Sequence, residues 1–322
     1  MRVGFDTSPL VQTRAGTARH VRGLLGALAG RPGVEVKRLS FGGAGKASSV
    51  VRDALWYPLA TGVLARGVDV LHCPTFRGPL RARPPVVVTV HDLAILRHPE
   101  TFPGWHRAYG RVGLRSTVQA ADAVVALSDF TKVEVEGLLD VPASRIRVIP
   151  NGVDALFSPD GPVAEGDYVL AVATLEPRKN LARALEAARR AGVELRVVGA
   201  EGWGGVAVPG WAGFVSDEEL ARLYRGARCV LYPSLYEGFG LPIVEAMACG
   251  TPVVTSRGGA TEETAGGAAV LVDPLDPASI AGGIREAARR RDELVPKGRE
   301  RASAFTWARA ADAVEALWRE LT

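Results

Sequence analysis

Two glutamates open the chemical reading of this chain: Glu237-Gly-Phe-Gly-Leu-Pro-Ile-Val-Glu245, a string that runs on through Ala-Met-Ala-Cys-Gly250 to Thr-Pro-Val-Val254. The first carboxylate lies in a glycine-bearing loop, and the second is expected inside the first turn of the helix that follows. Pro242 suits the first helical position, where its missing N–H has no helical partner to lose, and Gly250 is placed to end the helix with positive φ. The loop would then face a helix N-terminus, whose free N–H groups and positive pole favour a phosphate. Two nearby carboxylates can accept hydrogen bonds from several hydroxyls. Phosphate together with polyol is the chemistry of a nucleotide sugar. The plainer alternative is a strand-to-helix corner whose glycines let the chain turn and whose glutamates are helix-favouring surface groups.

Thr174-Leu-Glu-Pro-Arg-Lys-Asn180 carries two adjacent cations between an expected strand and helix. Arg178 offers a planar fork and Lys179 a compact ammonium, so the pair can offset the charge that builds on a departing diphosphate. The alternative is a loop of solvated basic residues. His91 and Asp92 follow the apolar run Val86-Val-Val-Thr-Val90, which puts both at a strand's carboxyl end, where polar residues also commonly cap the next turn. Gln12-Thr-Arg-Ala-Gly-Thr-Ala-Arg-His20 links the first strand to its helix, with Gly16 free to let the backbone approach a ligand. Asp6 just upstream reads equally as a turn residue or a cleft residue. Ser128 and Ser216 both precede helical patterns and suit N-caps, the latter with Glu219 completing a capping box.

These groups need elements to hold them. Short β-branched runs alternate with helical patterns along the whole chain, which predicts parallel α/β architecture with buried strands. Strands are expected near Val3–Phe5, Val34–Leu39, Val68–His72, Val86–Val90, Ala123–Leu127 and Ile146–Ile149. A second set is expected near Tyr168–Ala173, Glu194–Val198, Cys229–Tyr232, Val253–Thr255 and Ala269–Val272. Helices are expected near Leu181–Ala191, Asp217–Arg225, Pro242–Ala248 and Pro277–Arg290. The turn-rich stretch from Pro150 to Asp167 reads as a linker. The organisation that follows is a first domain over 1–159, a second over 160–304, and a C-terminal amphipathic helix over 305–322 bearing Trp307 and Trp318. Ligands belong at the carboxyl ends of the strands.

Composition narrows the class. A chain of 322 residues that is 47% hydrophobic can bury two cores. Three separated cysteines, Cys73, Cys229 and Cys249, give neither a disulfide framework nor a zinc site, which suits a reducing cytoplasm. No stretch has the pattern of a secretion signal or the length of a bilayer span. Residues 1–159 hold 20 Lys and Arg against 12 Asp and Glu, a net of +8, whereas 160–322 come to −4. That asymmetry suits an anionic acceptor or membrane surface, and arginine enrichment in a GC-rich genome would also produce it. Arg107, Arg111 and Arg115 recur on one face of an expected helix that also carries Trp105 and Tyr109; a solvated helix face is the default reading, and contact with anionic headgroups the alternative. No Asp-x-Asp occurs, so metal-free handling of a diphosphate is expected. Gly43-Ala-Gly-Lys46 is not a P-loop, Gly238-Phe-Gly240 is not a dinucleotide fingerprint, and no nucleophile elbow is present. The short basic runs lack interleaved aromatics, so no nucleic-acid partner is expected.

Glu-x7-Glu within E-G-F-G-L-P-I-V-E-A-M-A-C-G-T-P-V-V, with T-L-E-P-R-K-N and V-H-D, resembles the retaining group 1 glycosyltransferases of GT-B fold. The resemblance implies two doubly wound Rossmann-like domains facing across a cleft, with the C-terminal helix crossing back to the first. It implies transfer of a hexose, mannose being the guess, from a nucleoside-diphosphate sugar to a hydroxyl of a glycan or lipid-linked acceptor, without a cofactor. Residue by residue, Glu237 with the amides of Gly238, Phe239, Gly240 and Leu241 would hold the donor sugar, Glu245 the ribose, and Arg178 and Lys179 the diphosphate. His91 would lie beside the sugar, Gly16 near the diphosphate, and Val198, Gly199 and Phe214 near the nucleobase. Asp92 and Ser128 would face the acceptor. Here Ala15 stands where the family usually has a second glycine. The expected location is cytoplasmic, with the protein either soluble or peripheral on the inner face of the membrane. Sugar-nucleotide epimerases of the same architecture, and a partner subunit without turnover, are the competing classes.

Overall fold

The computed structural model describes residues 1–13, 16–42, 51–102, 104, 107, 110–203 and 208–322, with the Arg111 side chain left undescribed. Arg14, Ala15, Gly43 to Lys46, Trp105 and Tyr109 lie outside the described residues.

The chain forms two units. The first comprises Met1–Pro99, Gly104–Gly152 and Trp307–Thr322, and the second Glu100–Pro103 and Val153–Thr306. Six parallel strands build the first: β1 (Arg2–Asp6), β2 (Glu35–Leu39), β3 (Val70–Cys73), β4 (Val86–Val90), β5 (Ala123–Ala126) and β6 (Ile146–Val148), in the order β2-β1-β3-β4-β5-β6. Five parallel strands build the second: β7 (Tyr168–Val172), β8 (Glu194–Val198), β9 (Val230–Tyr232), β10 (Val253–Ser256) and β11 (Val270–Val272), in the order β11-β10-β9-β7-β8. Both sheets are doubly wound. After β1 the chain adds β2 on one side and then β3 on the other, and after β7 it adds β8 on one side and β9 on the other. The gaps between the loops leaving β1 and β3, and between those leaving β7 and β9, are therefore topological switch points.

The strands are continuous apolar runs because both faces are covered. Tyr168 and Leu170 point into one core of the second unit with Tyr224, Ile243 and Met247. Val169 and Ala171 point into the other with Ala184, Ala187 and Ile284. The first unit repeats the scheme: Leu71, Val88 and Val124 face one core, and Val3, Phe5, Val87 and Val125 the other. The C-terminal helix Trp307–Leu321 completes that second core by packing on the helix Gly16–Leu28. Its Trp318 is fully buried and donates from Nε1 to Nδ1 of His72 at 3.1 Å. The helices approach closely enough at Gly23 that any Cβ there would collide with the Trp307 ring.

The expected helix Leu181–Ala191 is found with those bounds, opened by Asn180 and closed by Gly192 in the left-handed region. The helix after Glu237 runs Leu241–Ala248 with Gly240 as N-cap at φ 102°. Pro242 is thus the second helical residue rather than the first. Glu245, expected in the first turn, is the fifth residue, because Gly240 starts the helix one position early. Gly250 does take positive φ, at 76°. All three cysteines are free and buried.

Candidate active site

The site of the second unit forms at its switch point. β7 ends at Val172, and the loop that leaves it tightens into a 3-10 turn, Pro177–Lys179, before the next helix. Asn180 ends that turn at φ 60° and donates from Nδ2 to the carbonyls of Pro233 at 2.9 Å and Pro274 at 2.6 Å. This ties the β7 loop to the loops leaving β9 and β11. The backbone N–H of Leu235 donates to the Arg178 carbonyl at 2.8 Å, a second tie. Two loops remote in sequence are thereby fixed side by side.

Between them lies an ion cluster. Lys179 Nζ donates to Glu237 Oε1 at 2.6 Å and to the Tyr232 hydroxyl at 3.2 Å. Arg178 Nη1 donates to Glu237 Oε2 at 3.0 Å and to the Tyr236 carbonyl at 3.1 Å, while its Nε reaches Glu176 Oε2 at 2.9 Å. All four charged side chains are nearly buried, from 7% to 12% exposed, so mutual pairing is what makes their desolvation tolerable. Burial pushes the Glu237 carboxyl up, but Lys179 and Arg178 outweigh it and hold the group at about 2. The two cations favour the ionised carboxylate of Glu237, which suits a hydrogen-bond acceptor.

The loop from Glu237 enters the helix Leu241–Ala248 without a side-chain cap. Phe239 is buried edge-on against Phe305 at 5.4 Å, which seats the loop. Glu245 is 1% exposed and accepts from the Tyr224 hydroxyl at 2.9 Å. Beyond β8, Gly199 sits at φ 143°, and a Cβ there would strike the Ala173 carbonyl. Its N–H donates to the Gly213 carbonyl at 2.9 Å, and its own carbonyl accepts from Trp211 Nε1 at 3.0 Å. Val198 is buried beside it, and Phe214 is half exposed next to Gly213. Ser216 caps the following helix by accepting from Glu219 N at 3.2 Å. The Glu219 carboxylate, expected to close a capping box, instead pairs with Arg222 at 2.8 Å, a neighbour one turn on.

In the first unit, His91 follows β4 and is held by the Pro74 carbonyl at 2.8 Å through Nε2. A carbonyl only accepts, so Nε2 carries the proton and Nδ1 the lone pair. Burial draws the ring's pKa below the usual histidine value. Edge-on to it at 4.9 Å lies His20, whose Nδ1 meets Asn151 Oδ1 at 2.7 Å. His20 Nε2 is buried with no hydrogen-bond partner. Asp92 caps the next turn, accepting from Ala94 N at 3.0 Å. Ser128 caps the helix Asp129–Leu139, accepting from Thr131 N at 3.0 Å. Gly16 begins the helix Gly16–Leu28. Asp6, at the end of β1, accepts from the Ser8 hydroxyl at 2.5 Å, and its Oδ2 is buried with no hydrogen-bond partner. Of the three arginines expected to share a face, Arg115 is turned to Asp140 at 2.5 Å and to the Leu138 carbonyl.

Arg178, Lys179 and Glu237 are thus brought into direct contact, and Glu245 follows on the attached helix with Tyr224 as its partner. Sequence reasoning did not assign roles to Glu176, Asn180, Tyr232 or Tyr224. Glu176 and Asn180 sit within the basic string and could have been flagged by position. The tyrosines come from remote elements with no spacing signal. Among the described residues no group of three or more His, Cys, Asp or Glu could hold a metal ion.

Residues 155–303 match the family described as glycosyl transferases group 1, and residues 14–155 match Glycosyltransferase Family 4. O-antigen chain mannosyltransferase B of Escherichia coli is 32% identical over 270 residues, covering 74% of this chain and 71% of the relative. MMP alpha-(1->4)-mannosyltransferase of Mycolicibacterium hassiacum is 36% identical over 227 residues, 63% of this chain, which spans about half (53%) of that relative. Among solved structures, sucrose-phosphate synthase from Thermosynechococcus elongatus matches with TM-score 0.76 at 20% identity, over 100% of this chain and 99% of its own. Anabaena HepE in complex with UDP and glucose matches with TM-score 0.74 at 19% identity over 100% of both chains. At such identity the likeness is one of fold.

Proposed function

The chain belongs to the group 1 glycosyltransferases and has their two-domain GT-B fold, and from that premise we propose that it moves a hexose from a nucleoside-diphosphate sugar to a hydroxyl of a glycan or lipid-linked acceptor, with retention. The observation that carries the reading is the buried contact of Arg178 and Lys179 with Glu237 at the switch point of the second unit. In this reading the ion cluster is neutral in itself: two carboxylates, Glu176 and Glu237, balance two cations. A diphosphate that enters shares the cations with Glu237 and frees its carboxylate to accept from sugar hydroxyls. Glu237 is a positioning residue, and Glu245 accepts from the ribose.

The bond from the anomeric carbon to the diphosphate oxygen breaks, and its electron pair leaves on that oxygen. Arg178 and Lys179 stabilise the charge as it develops. The acceptor oxygen bonds to the same face of the carbon, and its proton passes to the departing phosphate oxygen. No cofactor or metal takes part in this reading. Two relatives named as mannosyltransferases favour mannose as the sugar. The reaction is placed in the cytoplasm, at the inner face of the membrane where the acceptor is lipid-linked.

The test is nucleoside-diphosphate release from GDP-mannose and UDP-glucose, with and without candidate acceptors, with the anomeric configuration of the product read by NMR. Acceptor-dependent release with retention supports the proposal. Release of an epimerised sugar without acceptor, or binding without turnover under every condition, overturns it.

A further inference from the structure

The helix Arg52–Ala60, continued by Thr61–Leu64, is apolar on both faces and carries its charges on the inner one. Its two charged residues face inward: Arg52 and Asp53 are each 7% exposed, and Arg77 closes on Asp53 at 3.1 Å. Trp56, Tyr57 and Thr61 share that inner face. The outer face carries Val51, Leu55, Leu59 and Val63, each four residues after the last, joined by Leu64 and by Leu80 from a neighbouring loop. Leu55 and Leu59 are 55% and 61% exposed. Of the described residues, six of the twelve exposed large hydrophobic side chains fall on this patch, so it is not the scattered exposure normal for a soluble surface.

The rim is cationic. Lys37 Nζ donates to the Leu64 carbonyl at 2.8 Å, which sets an ammonium at the end of the stripe. Gly62 has room for no side chain because the backbone of Arg81 and the ring of Pro79 lie against it, and this brings Leu80 and Arg81 beside Val63. Arg66, Arg81 and Arg83 are exposed. From residue 51 to residue 67 the sole acidic residue is Asp53, and it is buried.

We propose that the outer face of helix 52–64 is a membrane-docking surface, seating its leucines and valines at the acyl boundary of an anionic bilayer while Lys37, Arg66, Arg81 and Arg83 meet headgroup phosphates. Apolar area supplies the insertion and the flanking cations the attraction to anionic lipid. A second copy of the chain fits poorly, because a twofold pairing of this face would set like charges against one another. No helix among the described residues is long and apolar enough to cross a membrane, so the contact is interfacial. The proposal does not rest on glycosyl transfer, since binding is read without substrate.

The test is sedimentation of the full chain with vesicles of phosphatidylcholine alone or with roughly one-third phosphatidylglycerol. Wild type pellets with the anionic vesicles. Leu55→Glu with Leu59→Glu lowers the bound fraction about tenfold, and Arg81→Glu with Arg83→Glu, or high salt, lowers it severalfold. Both variants melt like wild type because the altered side chains are exposed; if the leucine pair does not, Leu55→Gln with Leu59→Gln replaces it. Wild type left in the supernatant, or leucine variants that pellet as wild type does, overturns the proposal. A concentration-dependent dimer that the leucine variants dissociate, without vesicle binding, assigns the face to a second copy and overturns it too.

Discussion

Lys179 Nζ lies 2.6 Å from Glu237 Oε1, and the same carboxylate receives Arg178 Nη1 on its other oxygen at 3.0 Å. The ammonium and the guanidinium proposed to meet the diphosphate are therefore held in fixed positions by the protein's own carboxylate, which is the preorganisation that electrostatic stabilisation requires.

Lys179→Ala removes one of the two charges proposed to face the leaving group. Turnover falls by about a hundredfold, read as kcat for nucleoside-diphosphate release. An unchanged kcat with a raised KM shows that the ammonium serves ground-state binding alone.

Glu237→Gln keeps the shape of the site and removes the anion that competes for both cations. Nucleoside diphosphate binds more tightly to the variant in calorimetry, while transfer slows because the amide is a weaker acceptor for sugar hydroxyls. Glu237→Ala leaves two cations buried without their common partner and destabilises the fold by about 3 kcal/mol in urea unfolding.

Stability falls on mild acidification. Burial, with the neighbouring His91, pulls His20 to about 3 against the opposing Asn151 contact, and burial alone pulls His72 to about 3. The unfolded chain takes up these protons near pH 6.5 and the folded chain only near 3, so the contribution is whole above 6.5 and shrinks as pH drops between those values. Each histidine costs about 1.4 kcal/mol per pH unit within that window. Unfolding midpoints at pH 7 and pH 5 check this, and His72→Gln lessens the slope. Glu237, lowered from 4.5 to about 2, adds its loss only at lower pH.

Gly23→Ala forces the helices Gly16–Leu28 and Trp307–Leu321 apart, because the new methyl meets the Trp307 ring. A loss of about 2 kcal/mol is expected. In a double-mutant cycle, Trp307→Ala made together with Gly23→Ala costs less than the sum of the two separate changes.

Much of the fold was legible because its signals are local. Val86-Val-Val-Thr-Val90 can be little else than a buried parallel strand, and the helical pattern of Leu181–Ala191 gave that helix its bounds. The pairing of Glu237 with both cations was not legible: it depends on Asn180 and Leu235 tying together loops that lie far apart in sequence. Nor was the orientation of the helix at 52–64, where apolar residues occur on every face and only the folded position of Arg52 and Asp53 reveals which side points inward. Arg115 lies at the surface as its helical spacing suggested, but its reach to the exposed Asp140 depends on the folded loop and was not legible.

The return of Trp307–Leu321 to the first unit imposes an order on biogenesis. On the ribosome the N-terminal sheet emerges early, yet Val21, Leu24 and Leu28 stay uncovered until the final helix is synthesised. Residues 153–306 are contiguous apart from their partners at Glu100–Pro103, so the later unit can mature first. A nascent chain stalled before Trp307 would therefore present a sticky N-terminal half to chaperones while its downstream half is already native.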